Sequence, residues 1–203
     1  MVDFIVFDLE TTGLATSSRI TEIGAWKFKG GVLVDKFHTL VNPRCDISRE
    51  IVNLTGISNE MVKNELDFYE VLPMFHEFCE SLPFLAHNLE FDYRILCARG
   101  DDAEYDFTQG GTRTGLCTLK LAKSLFPGLP SYTLSSLVHH FKLDEGLATV
   151  SEFHRAKFDA YMSKRLFDVC QVRAGGVHKT LEPVLLMLKE KQEYGRVMEC
   201  GSL

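Results

Sequence analysis

The sequence contains no run of about 18 apolar residues, so nothing in it reads as a membrane span. Its six cysteines, Cys45, Cys79, Cys97, Cys117, Cys170 and Cys200, are scattered and form no CxxC pair. That argues for reduced thiols in a cytosol-like compartment, against both a disulfide framework and a zinc site. A basic leader is missing too. Met1-Val2-Asp3-Phe4-Ile5-Val6-Phe7-Asp8 reaches a carboxylate too soon for a signal peptide and reads as a strand. These absences make a cytoplasmic location the expectation. Excess positive charge is also lacking: the formal net charge is −6, which by itself does not favour nucleic acid. A protein that holds divalent cations on carboxylates can nevertheless present a positive field to a phosphate. The chain shows no internal repeat. What it does have is ordinary globular composition, 45% apolar and 25% charged over 203 residues, enough for one domain, or one domain with a short extension.

Along the chain, residues 3–7 form a β-rich apolar run, followed by a polar Gly-containing loop from Thr11 to Ser18. Ile20–Lys29 and Val32–Val41 flank Gly30-Gly31 and predict a hairpin, ended by Pro43. Short helices are expected over residues 47–54 and 59–62, the second capped by Ser58. Residues 67–81 carry apolar side chains at helical spacing. A short strand at Phe84-Leu85-Ala86 precedes a helix over 91–99 that Gly100 should end. Residues 101–114 read as a loop, 118–126 and 133–141 as helices, and 154–173 as a longer helix begun just after His154. Gly175-Gly176 would break it, and 181–193 is a charged helix candidate. A hairpin first, then strands returning between helices, is the pattern of an α/β domain with a mixed sheet.

Three segments carry chemistry. In Phe7-Asp8-Leu9-Glu10-Thr11-Thr12-Gly13-Leu14, strand alternation puts Asp8 and Glu10 on one face, at the strand end where α/β sheets build their sites. Adjacent carboxylates repel unless a cation lies between them, and oxygen ligands suit Mg²⁺ or Mn²⁺. Gly13 allows close backbone approach. Alone, such a pair reads as a strand end with an exposed turn. In Ala86-His87-Asn88-Leu89-Glu90-Phe91-Asp92, Asp92 stands near a helix N-terminus, where Asp is also common for dipole reasons. In His154-Arg155-Ala156-Lys157-Phe158-Asp159, Asp159 lies beside the apolar face of its helix and calls for a metal or a cap. His154, five residues earlier, can take a proton from water as a general base.

The order and spacing of these segments resemble the DnaQ-like superfamily of 3′–5′ exonucleases, DEDDh branch. The match rests on Asp8-x-Glu10-Thr-Thr-Gly-Leu, His87-Asn-x-x-Phe91-Asp92 and His154-x-Ala156-x-x-Asp159. Arg19–Ala25, Phe37–Pro43 and Cys117–Pro127 are similar to intervening segments of that family, and the resemblance covers about residues 4–172. It implies an RNase H-like fold: a mixed central sheet flanked by helices, over an exonuclease domain of residues 1–173 with a helical extension at 174–203. It also implies two divalent ions, Mg²⁺ or Mn²⁺, held by Asp8, Glu10, Asp92 and Asp159, with Asp8 bridging and His154 as the base, in two-metal phosphodiester cleavage.

The same resemblance implies substrate contacts at Glu10, Thr11, Gly13, Glu50, Thr55, His87 and Asn88, although helix and cap chemistry would explain Glu50, Thr55 and Asn88 equally well. The implied substrate is the 3′ end of single-stranded DNA, as in a polymerase proofreading activity. The alternatives are an RNA exonuclease like oligoribonuclease or RNase T, and a non-catalytic nucleic-acid-binding module. Residues 181–193 read either as a helix closing the domain or as a docking helix for a DNA polymerase subunit or a second copy of the chain.

Overall fold

The computed structural model describes residues 3–102, 115–145 and 154–175. Its centre is a five-stranded sheet in the order β3-β2-β1-β4-β5. Strands β1 (Phe4–Thr11), β2 (Ile20–Lys29) and β3 (Val32–Leu40) pair antiparallel. Strands β4 (Phe84–Ala86) and β5 (Gly115–Cys117) add in parallel on the other side of β1. The β2–β3 turn uses Gly30 and Gly31 at φ 60° and 81°, the left-handed pair a two-residue hairpin needs.

Seven helices lie among the described residues: α1 (Arg49–Thr55), α2 (Asn59–Val62), α3 (Phe68–Cys79), α4 (Leu89–Asp102), α5 (Thr118–Leu125), α6 (Leu134–Phe141) and α7 (Ala156–Arg173). Helix starts follow the expected cap chemistry. Ser58 accepts from Met61 N–H, and Asp67 with Glu70 closes a capping box on α3. Within these helices, none is long and apolar enough to cross a membrane. Cys45, Cys79, Cys97, Cys117 and Cys170 are free thiols.

Strand alternation sorts the core into two layers. Ile5, Phe7 and Leu9 of β1 face a cluster built with Val71, Leu72 and Phe75 of α3 and Leu96 of α4. Phe4 and Val6 face the opposite cluster, with Leu121 of α5, Leu137 of α6 and Met162 and Leu166 of α7. The result is the helix–sheet–helix sandwich expected from the sequence. Asp8 and Glu10 continue the Phe4–Val6 face, and so point toward α7 rather than α3.

Three local readings differ. The first strand takes in Thr11, where the sequence suggests the loop begins, because β2 accompanies it to that point. Helix α4 continues through Gly100 to Asp102. Strand β5 was not expected; three residues are too few to show a period. Apart from residues 101 and 102, the 101–114 loop lies outside the described residues, as does the 181–193 helix.

Phe75 is fully buried, with its ring centroid 5.3 Å from that of Phe37 and 6.2 Å from that of Phe7. Phe75→Ala should therefore lower unfolding free energy in urea by about 3–5 kcal/mol. A loss under about 1 kcal/mol would mean that this layer repacks freely.

Candidate active site

Four carboxylates converge where β1 ends. Asp8 and Glu10 occupy alternate positions of the strand, opposite Gly24 and Glu22 of β2. The β1–β2 register slips between Glu10 and Thr11, an irregularity of the kind that re-aims side chains beside sites. Strand β4 pairs with β1 only at Ile5 and Val6, so β1 amides beyond it need partners from elsewhere. Asp92, from the first turn of α4, meets this need: its Oδ1 accepts from Leu9 N–H at 3.2 Å. Asp159 comes from the first turn of α7, and its Oδ2 accepts from His154 N–H at 3.1 Å. That bond holds the turn before α7, where His154 sits exposed at φ 64°.

Ligand atoms of Glu10, His154 and Asp159 lie within 4.8 Å of one another. Glu10 and Asp159 are each 9% exposed, and Asp92 is 3% exposed. Burial, followed by the charges of Asp92, Asp159, Glu10 and Glu22, pushes the Asp8 carboxyl well above the usual carboxylate range. Burial and the neighbouring Asp159, Glu22 and Asp92 charges lift Glu10 to about 8, with Arg155 acting in opposition. Burial lifts Asp92 to about 8, outweighing its backbone hydrogen bonds, and the Asp159 charge adds to the rise. Burial lifts Asp159 to about 7 against the His154 N–H bond, with Glu22 adding. The common cause is negative charge collected away from water, which Arg155 offsets at Glu10 only in part.

A divalent cation is the counter-charge that fits. Asp159 Oδ1 is buried with no hydrogen-bond partner among the described residues, which leaves a carboxylate oxygen unpaired at a desolvation cost. The donor set is carboxylate oxygen with one imidazole, suited to hard cations such as Mg²⁺ or Mn²⁺.

The expected substrate-contact residues divide. Thr11 is buried, its Oγ1 donating to Gly13 O at 2.6 Å, and this bond folds the loop that follows β1. Gly13 stands close to Ser18, whose Oγ a Cβ would approach to 3.2 Å. Glu50 is exposed in the first turn of α1, its carboxyl held below the usual value by its own backbone N–H and the Ser48 hydroxyl. Asn88 is exposed at φ 63°, a left-handed position that Asn tolerates. Thr55 and His87 are already engaged within the fold. Thr55 is 4% exposed, and its hydroxyl donates to Ile51 O and accepts from Ile57 N–H. In His87, Nδ1 pairs with Thr118 Oγ1 at 2.9 Å and Nε2 with Tyr132 O at 3.0 Å. Burial lowers this imidazole to about 4, so it is a neutral tie between the β4–α4 loop and α5. Both side chains spend their polar atoms internally.

The sequence marks Glu22 only as part of the second strand, yet the fold brings it to this region. Its side chain is fully buried. Its Oε1 accepts from Arg155 Nη2 at 2.7 Å and pairs with His38 Nε2 at 2.7 Å, and its Oε2 accepts from Ala156 N–H at 2.9 Å. Burial alone would raise this carboxyl; the His38, Arg155 and Ala156 bonds and the Arg155 charge outweigh it and hold it at about 2. The available signal was an acid inside the apolar run Ile20-Thr21-Glu22-Ile23-Gly24-Ala25.

The raised carboxyls carry a sign. The folded, metal-free protein binds more protons than the unfolded chain between the ordinary carboxylate range and about 8, so stability falls as pH rises through that window. Melting curves in chelator should therefore drop steadily from pH 5 to about pH 8.5. Asp8→Asn, which removes one charge from the cluster, should melt higher than the parent in chelator at pH 8. A flat pH profile in chelator, or an Asp8→Asn melt below the parent, would contradict this electrostatic picture.

Comparison with known proteins agrees with the geometry. Residues 5–167 match the family model described as Exonuclease (RNase_T). A DNA polymerase III PolC-type protein of Thermotoga maritima is 42% identical over 167 residues, covering 75% of this chain and 12% of its own length. The chain thus spans a small part of that relative. A DNA polymerase III subunit epsilon of Aquifex aeolicus is 34% identical over 168 residues, covering 81% of this chain and 78% of its own length. Among solved structures, Exonuclease X in complex with 5′ overhanging duplex DNA has a TM-score of 0.67 and 29% identity, covering 87% of this chain and 95% of its own. The chain belongs to the exonuclease family.

Proposed function

We propose that this exonuclease hydrolyses phosphodiester bonds at the 3′ end of single-stranded DNA, releasing nucleoside 5′-monophosphates, with two Mg²⁺ or Mn²⁺ ions held by Asp8, Glu10, Asp92 and Asp159. The observation that carries the reading is the meeting of Glu10, His154 and Asp159 ligand atoms within 4.8 Å. Its relatives named for DNA polymerase III and the DNA complex of Exonuclease X support DNA as the substrate and proofreading beside a polymerase, in the cytoplasm, as the setting.

Divalent cations bound here would supply Lewis-acid activation of water and neutralise charge at the phosphoryl group. The remaining work belongs to the chain. His154, exposed beside Asp159, takes the proton from the attacking water, whose oxygen bonds to phosphorus as the bond to the 3′ oxygen breaks. The departing 3′ oxygen gains a proton from solvent, and the nucleoside 5′-monophosphate leaves. Asp92, fixed to the Leu9 amide, and Asp159, fixed to the His154 amide, hold their carboxylates without side-chain freedom to lose on binding. Thr11 and Gly13 shape the loop that receives the terminal nucleotide, with Glu50 and Asn88 contributing from exposed positions. An unpaired strand end reaches such a recessed site most easily.

The direct test incubates the protein with 5′-labelled single-stranded DNA and RNA of equal sequence, with Mg²⁺ or Mn²⁺ and with EDTA. A ladder shortening from the 3′ end on DNA, abolished by EDTA, is expected. Shortening of RNA alone would reassign the substrate, and unchanged cleavage in EDTA would exclude the metal set. His154→Ala should slow release by about 10²–10⁴-fold, the usual worth of a general base, with divalent-ion binding by calorimetry little changed. Wild-type rates across pH 6–9 would remove His154 from that role.

A further inference from the structure

Three alternate residues on one face of β2 each grip the first turn of α7. Glu22 accepts from the Ala156 amide and from Arg155, the residue that caps the helix. Gly24 lies so close to the helix backbone that a Cβ there would stand 2.2 Å from Lys157 N and 2.3 Å from Ala156 C. Trp26 donates from Nε1 to Lys157 O at 2.9 Å and sets its ring 5.0 Å from that of Tyr161. On the other side of Glu22, His38 of β3 completes the tie. None of these residues belongs to the carboxylate set, yet the turn they grip is bracketed by His154 and Asp159.

We infer that the Glu22–Gly24–Trp26 face of β2 is a positioning rail that sets the translation and rotation of α7, and through it the reach of Asp159 and His154 into the site. The chemistry of each contact suits the role. The first amides of a helix have no partner within the helix, and a carboxylate there satisfies one and meets the positive end of the dipole. The Arg155 fork gives Glu22 angular definition as well as attraction. Gly24 lets helix and sheet approach to a distance that any other residue forbids, while Trp26 fixes the third point. Three contacts on one strand face, spaced along its length, determine an orientation that one contact would leave free to pivot. Glu22, Gly24 and Trp26 are therefore positioning residues, acting through α7.

The inference rests on the proposed nuclease reading for its kinetic arm alone. Trp26 is the single tryptophan of the chain, so its fluorescence reports the docking of α7 without substrate or metal. The experiment compares wild type with Glu22→Ala, Glu22→Gln, Arg155→Gln and Gly24→Ala, reading Trp26 emission, melting temperature, and kcat and KM on single-stranded DNA with Mn²⁺. Glu22→Ala should shift Trp26 emission to the red and lower kcat about 10²-fold, the scale of a small misplacement of catalytic groups, while KM changes far less. Glu22→Gln, which keeps an oxygen for the Ala156 amide, should recover part of that loss. Arg155→Gln and Gly24→Ala should fall in the same direction, and they carry the test if Glu22→Ala does not fold. A lower melting temperature with wild-type kcat in the folded variants would leave these residues as mere stabilisers and overturn the inference. So would unchanged Trp26 emission in all four variants. If wild type itself releases no nucleotide, the nuclease reading fails, while the emission series still decides whether β2 seats α7.

Discussion

Mutual repulsion among four carboxylates at the end of the central strand is the constraint around which this molecule is arranged. Asp8, Glu10, Asp92 and Asp159 come from β1, α4 and α7, and burial raises each above its ordinary range. Left alone, such a cluster would splay. Directional bonds to backbone amides, Leu9 to Asp92 and His154 to Asp159, keep it together. The residual oxygen of Asp159, buried and without a hydrogen-bond partner, shows that the strain is not fully relieved inside the protein. Charge that the fold concentrates and does not neutralise is what suits the site to divalent cations.

The rest of the fold supplies the rigidity that this concentration requires. Strand β1 separates two apolar layers, one with α3 and α4 and one with α5, α6 and α7. Each layer fixes one source of carboxylate: α4 brings Asp92 and α7 brings Asp159. Glu22 differs from the other acids. It sits opposite Glu10 in the sheet, but Arg155, His38 and the Ala156 amide hold it at about 2. Two neighbouring glutamates thus have opposite fates because one has donors around it and the other has acids. Glu10 keeps a raised carboxyl; Glu22 is spent on structure.

Much of this was legible along the chain. The pairing of Asp8 with Glu10 follows from strand alternation alone, and the Gly30-Gly31 hairpin from turn chemistry. The cap at Ser58 follows from helix-end chemistry. Asp92 and Asp159 were marked by order and spacing, as was His154. The limits were equally physical. Gly100 promised a helix end that α4 ignores, since a glycine is only permissive and does not force a stop. Strand β5 is too short to display a period. The internal bonds of His87 reach groups distant in sequence, which no local pattern announces.

By itself, the sequence determined the chemical inventory and its faces: which acids share a strand side, which segments are helical, and which family the pattern resembles. Those properties are local, set by dihedral preferences, side-chain period and spacing. Only the tertiary structure decided that Asp92 finishes β1 by taking the Leu9 amide, and that Glu22 spans to α7 across 133 residues of chain. It also decided that Gly24 is a contact and not a flexible point. These outcomes depend on which backbone groups the sheet leaves unpaired and on how near two elements can come. Pairing and close approach are properties of the packed whole, and no stretch of sequence contains them.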